Sequence, residues 1–358
     1  MTILKRKRFW GLILTVGLLI YCFYDLDIYA VKTAISAIKY KFLIPLVFLE
    51  VLITFVRSLR MKYFIDPMKK IKASEMFPVY CIGTMANWML PYLTGQVARV
   101  YLFSKKVNLP KTFFTTTTIL EAVLDGFSLF ALVMITSLIV AIPEEFKTWH
   151  FFVLGALIII VGSLLIILSR SDKNSHNYIA KVTRHMSPSI RDKIDEFSSS
   201  FFSGLETLKS SKHFFLVSFL SMLSWLLQAG MVYLLIQAFG YKVNMAGAVI
   251  ITALVNIMMT IVIAPGNIGT FQGATGAAMA PFGVGKSEAL AFSFLLHIFV
   301  YLPPIVIGSL YAFKYGLSFK QLKDEGNKGV DEMNMSAKSA CDSESYIDEQ
   351  ISASKSSK

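Results

Sequence analysis

The sequence predicts an all-α integral membrane protein with about six full spans and two re-entrant helical hairpins arranged as an inverted repeat. Three observations lead there. Of 358 residues, 55% are hydrophobic and 16% charged, and the mean hydropathy is +0.59, more apolar than an ordinary soluble domain. Several apolar runs reach roughly 17–25 residues, enough to cross a bilayer. One interruption also occurs twice. Asn87-Trp-Met-Leu-Pro91-Tyr-Leu-Thr-Gly95-Gln96-Val-Ala-Arg99 breaks an apolar run in the first half, and Ala264-Pro265-Gly-Asn267-Ile-Gly269-Thr-Phe-Gln272-Gly breaks one in the second. Both carry Pro-x-x-x-Gly, with Pro265 falling 174 residues after Pro91. Backbone freed from a helix inside a bilayer survives only where protein or a water-filled cavity covers it. A matched pair of broken segments in two halves points to a transport site.

Taken in order, Lys5-Arg-Lys-Arg8 precedes a first apolar segment over 9–24 with no small-x-small cleavage site, and reads as a retained signal anchor. Further apolar segments cover about 42–59, 76–93, 113–142, 151–169, 214–239, 245–264 and 289–313. Treating all eight as full crossings breaks the positive-inside rule. It puts Arg99, Lys105, Lys106 and Lys111 outside with the basic loop 170–212, and Glu144-Glu145 inside. If the two broken segments return on the side they entered, 57–72, 94–112, 170–212 and both termini become cytoplasmic.

The first repeat (42–142) is then a span, a cytoplasmic hairpin over 73–112 and a span. The second (214–313) is its inverse, with an external hairpin over 245–288. Glu121 and Asp125 correspond to His297 and Tyr301, each pair at i, i+4 and 176 residues apart. The membrane domain ends near 315. Residues 316–358 turn to Lys, Asp, Glu, Ser, Asn and Gly and read as a disordered cytoplasmic tail.

The sharpest polar signal is Glu121 with Asp125, on one helix face about a third of the way into a long apolar span. An ionised carboxylate at the bilayer centre costs at least about 2.5 kcal/mol, so such groups face the bundle interior and find partners. Two readings stay open: a headgroup or proton site with Arg99 as partner, or a structural ion pair fixing the hairpin. Arg99, just past the first break, suits bidentate phosphate binding or snorkelling to the cytoplasmic headgroups; Lys105 and Lys106 read as interfacial. The second half offers Asn256, Asn267, Gln272 and His297, the last a hydrogen-bonded core residue or a titrating one. Glu50 is a further buried carboxylate, with Arg57 as a candidate partner.

Several function classes are excluded. Gly283-Val-Gly285-Lys286-Ser287 imitates the end of a phosphate-binding loop, but Ala280 stands where its first Gly belongs and no strand precedes it. Cys22, Cys81 and Cys341 show no pairing or metal-ligand spacing. There is no Ser/His/Asp set and no metal motif, so neither cofactor, metal nor catalytic residue is expected. The net charge of +12 fits basic cytoplasmic loops facing anionic lipid, not nucleic acid.

These motifs resemble the membrane domain of the lysylphosphatidylglycerol synthase-like family, often called flippase-like, over about residues 5–315. Its first signature is matched by Asn87, Pro91, Gly95, Gln96 and Arg99, followed by the acidic pair Glu121 and Asp125. Its second is matched by Pro265, Gly266, Asn267, Gly269 and Gln272. Gln96 and Gln272 replace family acids and His297 stands where Arg is usual, which suggests that a salt bridge has become a neutral hydrogen bond.

The resemblance implies translocation of an anionic phospholipid or polyprenyl-linked glycan across the cytoplasmic membrane. A headgroup path would run past Asn87, Pro91, Gly95, Gln96, Arg99, Glu121 and Asp125 on one side, and Pro265, Asn267, Gly269, Gln272 and His297 on the other. The tail is too short for the soluble aminoacyl-transfer domain of multidomain relatives, so no synthase activity is expected. Alternatives are a membrane subunit assisting a glycosyltransferase on polyprenyl-phosphate carriers, or a non-catalytic scaffold. A homo-oligomer or a partner transferase is compatible with each.

Overall fold

The computed structural model describes residues 27–90, 93–139, 211–261 and 267–331. The signal anchor at 9–24, the segment 143–150, the span at 151–169, nearly all of the loop 170–212, the tail beyond 331, and Pro91 and Pro265 lie outside the described residues. Every regular element among the described residues is helical.

A short helix α1 (Ile28–Ser36) and a 3-10 turn (Tyr40–Phe42) lead into α2 (Leu43–Ile65). Between Pro45, tolerated in the first turn, and Pro67 the sequence has no helix breaker, so α2 runs unbroken past its two arginines, Arg57 and Arg60. Next come α3 (Ala73–Met89), α4 (Leu93–Val107) and α5 (Lys111–Ile139). The second set is α6 (Ser211–Phe239), α7 (Met245–Ile261), α8 (Thr270–Met279) and α9 (Lys286–Lys314). Helices α2, α5, α6 and α9 are long and apolar enough to cross a membrane. This is a multi-pass membrane protein.

The intervening helices are short. At 1.5 Å per residue, α4 with 15 residues spans about 22 Å and α8 with 10 about 15 Å, less than the ~30 Å hydrocarbon core. Helices α3 and α4 form an antiparallel hairpin: Gly95 abuts the backbone of Asn87, while Gly83, one turn earlier, meets Arg99 and Phe103. Leu90 leaves α3 in extended conformation (φ −90°, ψ 142°), as a residue preceding proline must. At the second break Asn267 (φ 53°) and Gly269 (φ 85°) are both left-handed. The Gly269 N–H, freed at the start of α8, is taken up by the Gln272 side-chain oxygen at 2.8 Å.

The packing has a repeating logic. In the first set α2 packs on α3, α3 on α4 and α4 on α5; in the second α6 packs on α7, α7 on α8 and α8 on α9. Across the sets, α3 packs on α9 and α7 on α5; α2 on α9 and α6 on α5; and α2 and α6 pack on each other. One apolar core joins α2, α6, α7, α8 and α9. Another joins the end of α2 to α3, α4 and the start of α5.

Two expectations are corrected. The span predicted to stop at 59 continues as helix to Ile65, so Arg57 and Arg60 belong to a helix and not to a loop. Part of the tail predicted to be disordered is ordered: residues 319–331 form a helix, α10. Leu322 and Val330 are buried, and Gly326 and Gly329 let this face approach Thr94 and Val97 of α4. The Thr94 hydroxyl donates to the Asn327 side-chain oxygen at 3.4 Å. A stripe at i, i+4, i+7 and i+8 suffices for docking even where the rest of the helix is charged.

Candidate functional site

Where the two sets meet, helices α2 through α9 enclose a cavity of about 370 Å³, within the roughly 300–1,000 Å³ of small-ligand sites. Its wall holds a network of buried charge. Arg60 of α2 donates to both carboxylates of α5: to Glu121 Oε1 at 3.2 Å, and to Asp125 through both terminal nitrogens, with Asp125 Oδ2 at 3.2 Å. Its Nη1 also donates to Ser221 Oγ at 2.8 Å, from α6. Arg99 of α4 donates to the second Glu121 oxygen at 2.7 Å. Asp125 Oδ1 receives a further hydrogen bond from the Trp225 indole at 2.9 Å.

Arg60 is 2% exposed and Glu121 4%, burial that only pairing and hydrogen bonding make tolerable. Geometry explains the pairing. Positions 121 and 125 are one turn apart, so their carboxylates are stacked along one face and a single forked guanidinium spans both. Arg99 also lies over the rings of Tyr80 (5.2 Å to the centroid) and Phe103 (5.3 Å).

Of the residues predicted from sequence, Asn87, Gln96, Arg99, Glu121, Asp125 and Asn267 line this one cavity. Gly95 lies behind them, where it lets α4 touch α3. Gln272 and His297 do not line it; they bond to each other at 3.2 Å (Nε2 to Nδ1), the amide–imidazole pair that the family departures suggest. Asn267 donates to the Tyr301 hydroxyl at 2.8 Å. Each hairpin is thus tied to the helix that follows: Arg99 to Glu121 in the first set, Gln272 to His297 and Asn267 to Tyr301 in the second. Gly269 supplies the left-handed turn, and Pro91 and Pro265 are not among the described residues.

Glu50 feels the charge of Arg57, as expected, but makes no contact ion pair with it among the described residues; there it accepts from Thr54 at 3.5 Å, and its other oxygen has no hydrogen-bond partner. Among the cavity residues that the sequence did not mark as site residues are Arg57, expected only as a partner of Glu50, and Arg60, Trp225 and Gln228. The absence of a breaker between Pro45 and Pro67 was the signal for the two arginines. Trp225 and Gln228 lie on a long, mostly apolar helix whose one available mark was the spacing of Ser218, Ser221, Ser224 and Gln228. No group of three or more His, Cys, Asp and Glu side chains able to hold a metal occurs among the described residues.

A family model described as the lysylphosphatidylglycerol synthase TM region matches residues 8–308. A curated relative, described as a UPF0104 membrane protein of Methanothermobacter thermautotrophicus, is 23% identical over 239 residues, covering 62% of this chain and 68% of the relative. No solved structure matches.

Proposed function

The chain belongs to the lysylphosphatidylglycerol synthase TM region family, and from that membership we propose that it translocates a phospholipid or lipid-linked glycan across the cytoplasmic membrane. The observation that supports this most is the charged cavity between the two helical sets, bounded by both short-helix hairpins. A lipid headgroup crossing a bilayer needs a polar, partly charged path, while its hydrocarbon chains stay in lipid. Arg99, Glu121 and Asp125 supply one end of that path and Asn267 the other.

The exchange of packing partners between α2–α5 and α6–α9 supports a two-fold relation between the sets. With the loop charges, it favours an inverted repeat with both termini cytoplasmic. In that arrangement a cysteine at Lys242, between α6 and α7, is labelled from outside intact cells and one at Lys105 is not. External labelling of position 105 would end the inverted arrangement.

Translocation itself is tested with Arg99→Gln and Glu121→Gln in proteoliposomes, by the rate at which a fluorescent lipid becomes accessible across the bilayer. In Arg99→Gln the Glu121 carboxylate keeps Arg60, so the protein stays folded at a loss of about 1–3 kcal/mol. Exchange should nonetheless slow at least about tenfold, equivalent to about 1.4 kcal/mol in the barrier. Wild-type exchange in both variants, from monodisperse protein, would return the site to a structural role and leave the scaffold and transferase-subunit alternatives.

A further inference from the structure

Helix α10 lies beyond residues 8–308, which the family model matches, and its two halves pull in opposite directions. Its start is built to be helical. Gly316, left-handed at φ 64°, turns the chain out of α9, and the Ser318 and Gln321 side chains each accept from the other's backbone N–H at 3.1 Å. Its second half carries Gly326 and Gly329, each unfavourable inside a helix. Residues 319–331 also fall in the range, ~12–15 residues, where an isolated helix is marginal in water. Helix α10 is therefore helical because it is docked.

Docking is what the glycines serve. A Cβ at Gly326 would lie 2.5 Å from the Thr94 carbonyl oxygen, and one at Gly329 2.3 Å from Val97 Cγ1. Leu322, Gly326 and Val330, at i, i+4 and i+8, are buried, while Lys320, Lys323, Asp324, Lys328 and Asp331 are exposed. That many charged side chains do not face hydrocarbon, so water lies along the outer side of α10.

Helix α4 is held between this strap and the cavity. One of its faces turns Gln96 and Arg99 to the cavity; another, with Thr94, Val97 and Ala98, meets α10. It is also backed by α3 and α5, and α3 is itself closed onto α9 by the backbone contact at Gly308. The side covered by α10 is thus the one toward which α4 can move.

We propose that α10 is an autoinhibitory strap: docked, it pins α4 in the cavity wall; melted, it frees the first hairpin to open the cavity. This rests on the translocase reading for the flow that the strap restrains. Release is an order–disorder step of one short segment hinged at Gly316, with no rearrangement of the bundle.

The strap is tested by locking and by releasing it in the full-length protein, in a Cys22→Ser, Cys341→Ser background. A Cβ at Gly329 would lie 3.8 Å from the Val97 Cβ, and a disulfide takes about that separation, ~3.8 Å. Val97→Cys with Gly329→Cys should bridge on oxidation. In proteoliposomes the bridge should slow lipid exchange at least about tenfold, and reduction should restore it. Leu322→Asp puts a charge into the docked face and should release α10, so that trypsin cuts at Lys323 and Lys328 faster. Exchange should then rise about three- to tenfold, as the undocked fraction does. Gly326→Val, which forces α10 off the Thr94 backbone, should act alike. Asp324→Asn, on the exposed side, should change neither readout.

A further measurement does not depend on transport. Gln96→Cys places a thiol on the cavity face of α4, and a water-soluble maleimide should label it at least about threefold faster once Leu322→Asp is added. Labelling unchanged by release would overturn the inference. So would a Cys pair that does not bridge, exchange unchanged by both bridge and release, or exchange slowed by release, which would make α10 a support. Labelling that follows the strap in a protein that exchanges no lipid would uphold the strap and remove translocation alone.

Discussion

Arg60→Gln should yield almost no monodisperse protein, the largest loss expected from any single substitution in the cavity. That one change strips a hydrogen-bonded counter-ion from both Glu121 and Asp125 and a donor from Ser221. Breaking one buried pair costs about 3–5 kcal/mol, against a total stability of about 5–15 kcal/mol. Arg60→Lys should not rescue, because a single ammonium cannot fork between two stacked carboxylates.

The pattern of rescue makes the expectation specific. Arg60→Gln with Asp125→Asn leaves Glu121 on Arg99 at 2.7 Å, so every remaining charge in the network has a partner and yield should recover. Arg60→Gln with Glu121→Gln leaves both Asp125 and Arg99 stranded, and should not. Size-exclusion profiles of detergent extracts decide it. Equal rescue by the two doubles, or wild-type yield from Arg60→Gln, would show that these charges are solvated and not buried.

Backbone contact supplies the second large effect. A Cβ at Gly308 of α9 would lie 2.5 Å from the Cys81 carbonyl oxygen of α3, and one at Gly95 2.6 Å from the Asn87 Cα. In each case the nearest atom is backbone, so no side chain can swing aside and the helices must separate. Gly308→Ala and Gly95→Ala should each cost about 1–3 kcal/mol, a fall of about 2–12 °C in melting temperature. Gly276→Ala, within α8 and with nothing inside 4 Å, is the control. It should hold or raise the melting temperature, since Ala is the better helix former by up to about 1 kcal/mol. Unchanged melting in Gly308→Ala would mean that α3 and α9 are not in such contact.

The short hairpins were legible because two local signals agreed. Pro-x-x-x-Gly interrupts a helix by removing a donor, at the second break with left-handed backbone at Gly269 as well, and the loop charges argued against full crossings. Arg99 with Glu121 was legible because its partners lie 22 residues apart on neighbouring helices of one hairpin-and-span unit. Arg60 was lost to the very rule behind the expected topology: counting Lys and Arg as loop markers put 57–72 in a loop and the span's end at 59. Helix α2 shows that an arginine inside an apolar run is a loop residue only if something stops the helix first. Trp225 and Ser221 were out of reach for another reason. They meet Asp125 and Arg60 across 100 and 161 residues, and although Ser218, Ser221, Ser224 and Gln228 mark one side of the helix, nothing local says which distant element that side faces. The helix at 319–331 was hidden by composition, since a four-residue stripe can dock a helix that is otherwise polar.

The contact between Gly308 and Cys81 also has a consequence for biosynthesis. The residue that closes α9 onto α3 is made 227 positions after its partner, and ribosomes add roughly 5–20 residues per second. The first hairpin therefore waits on the order of ten to forty-five seconds in the nascent chain before its main neighbour exists. Arg60, Arg99, Glu121 and Asp125 all lie within the first 125 residues, so their charges can cancel before the second half is made. A half-built bundle can then wait in lipid with few ions exposed, and the later helices need only close around a core whose charges are already settled.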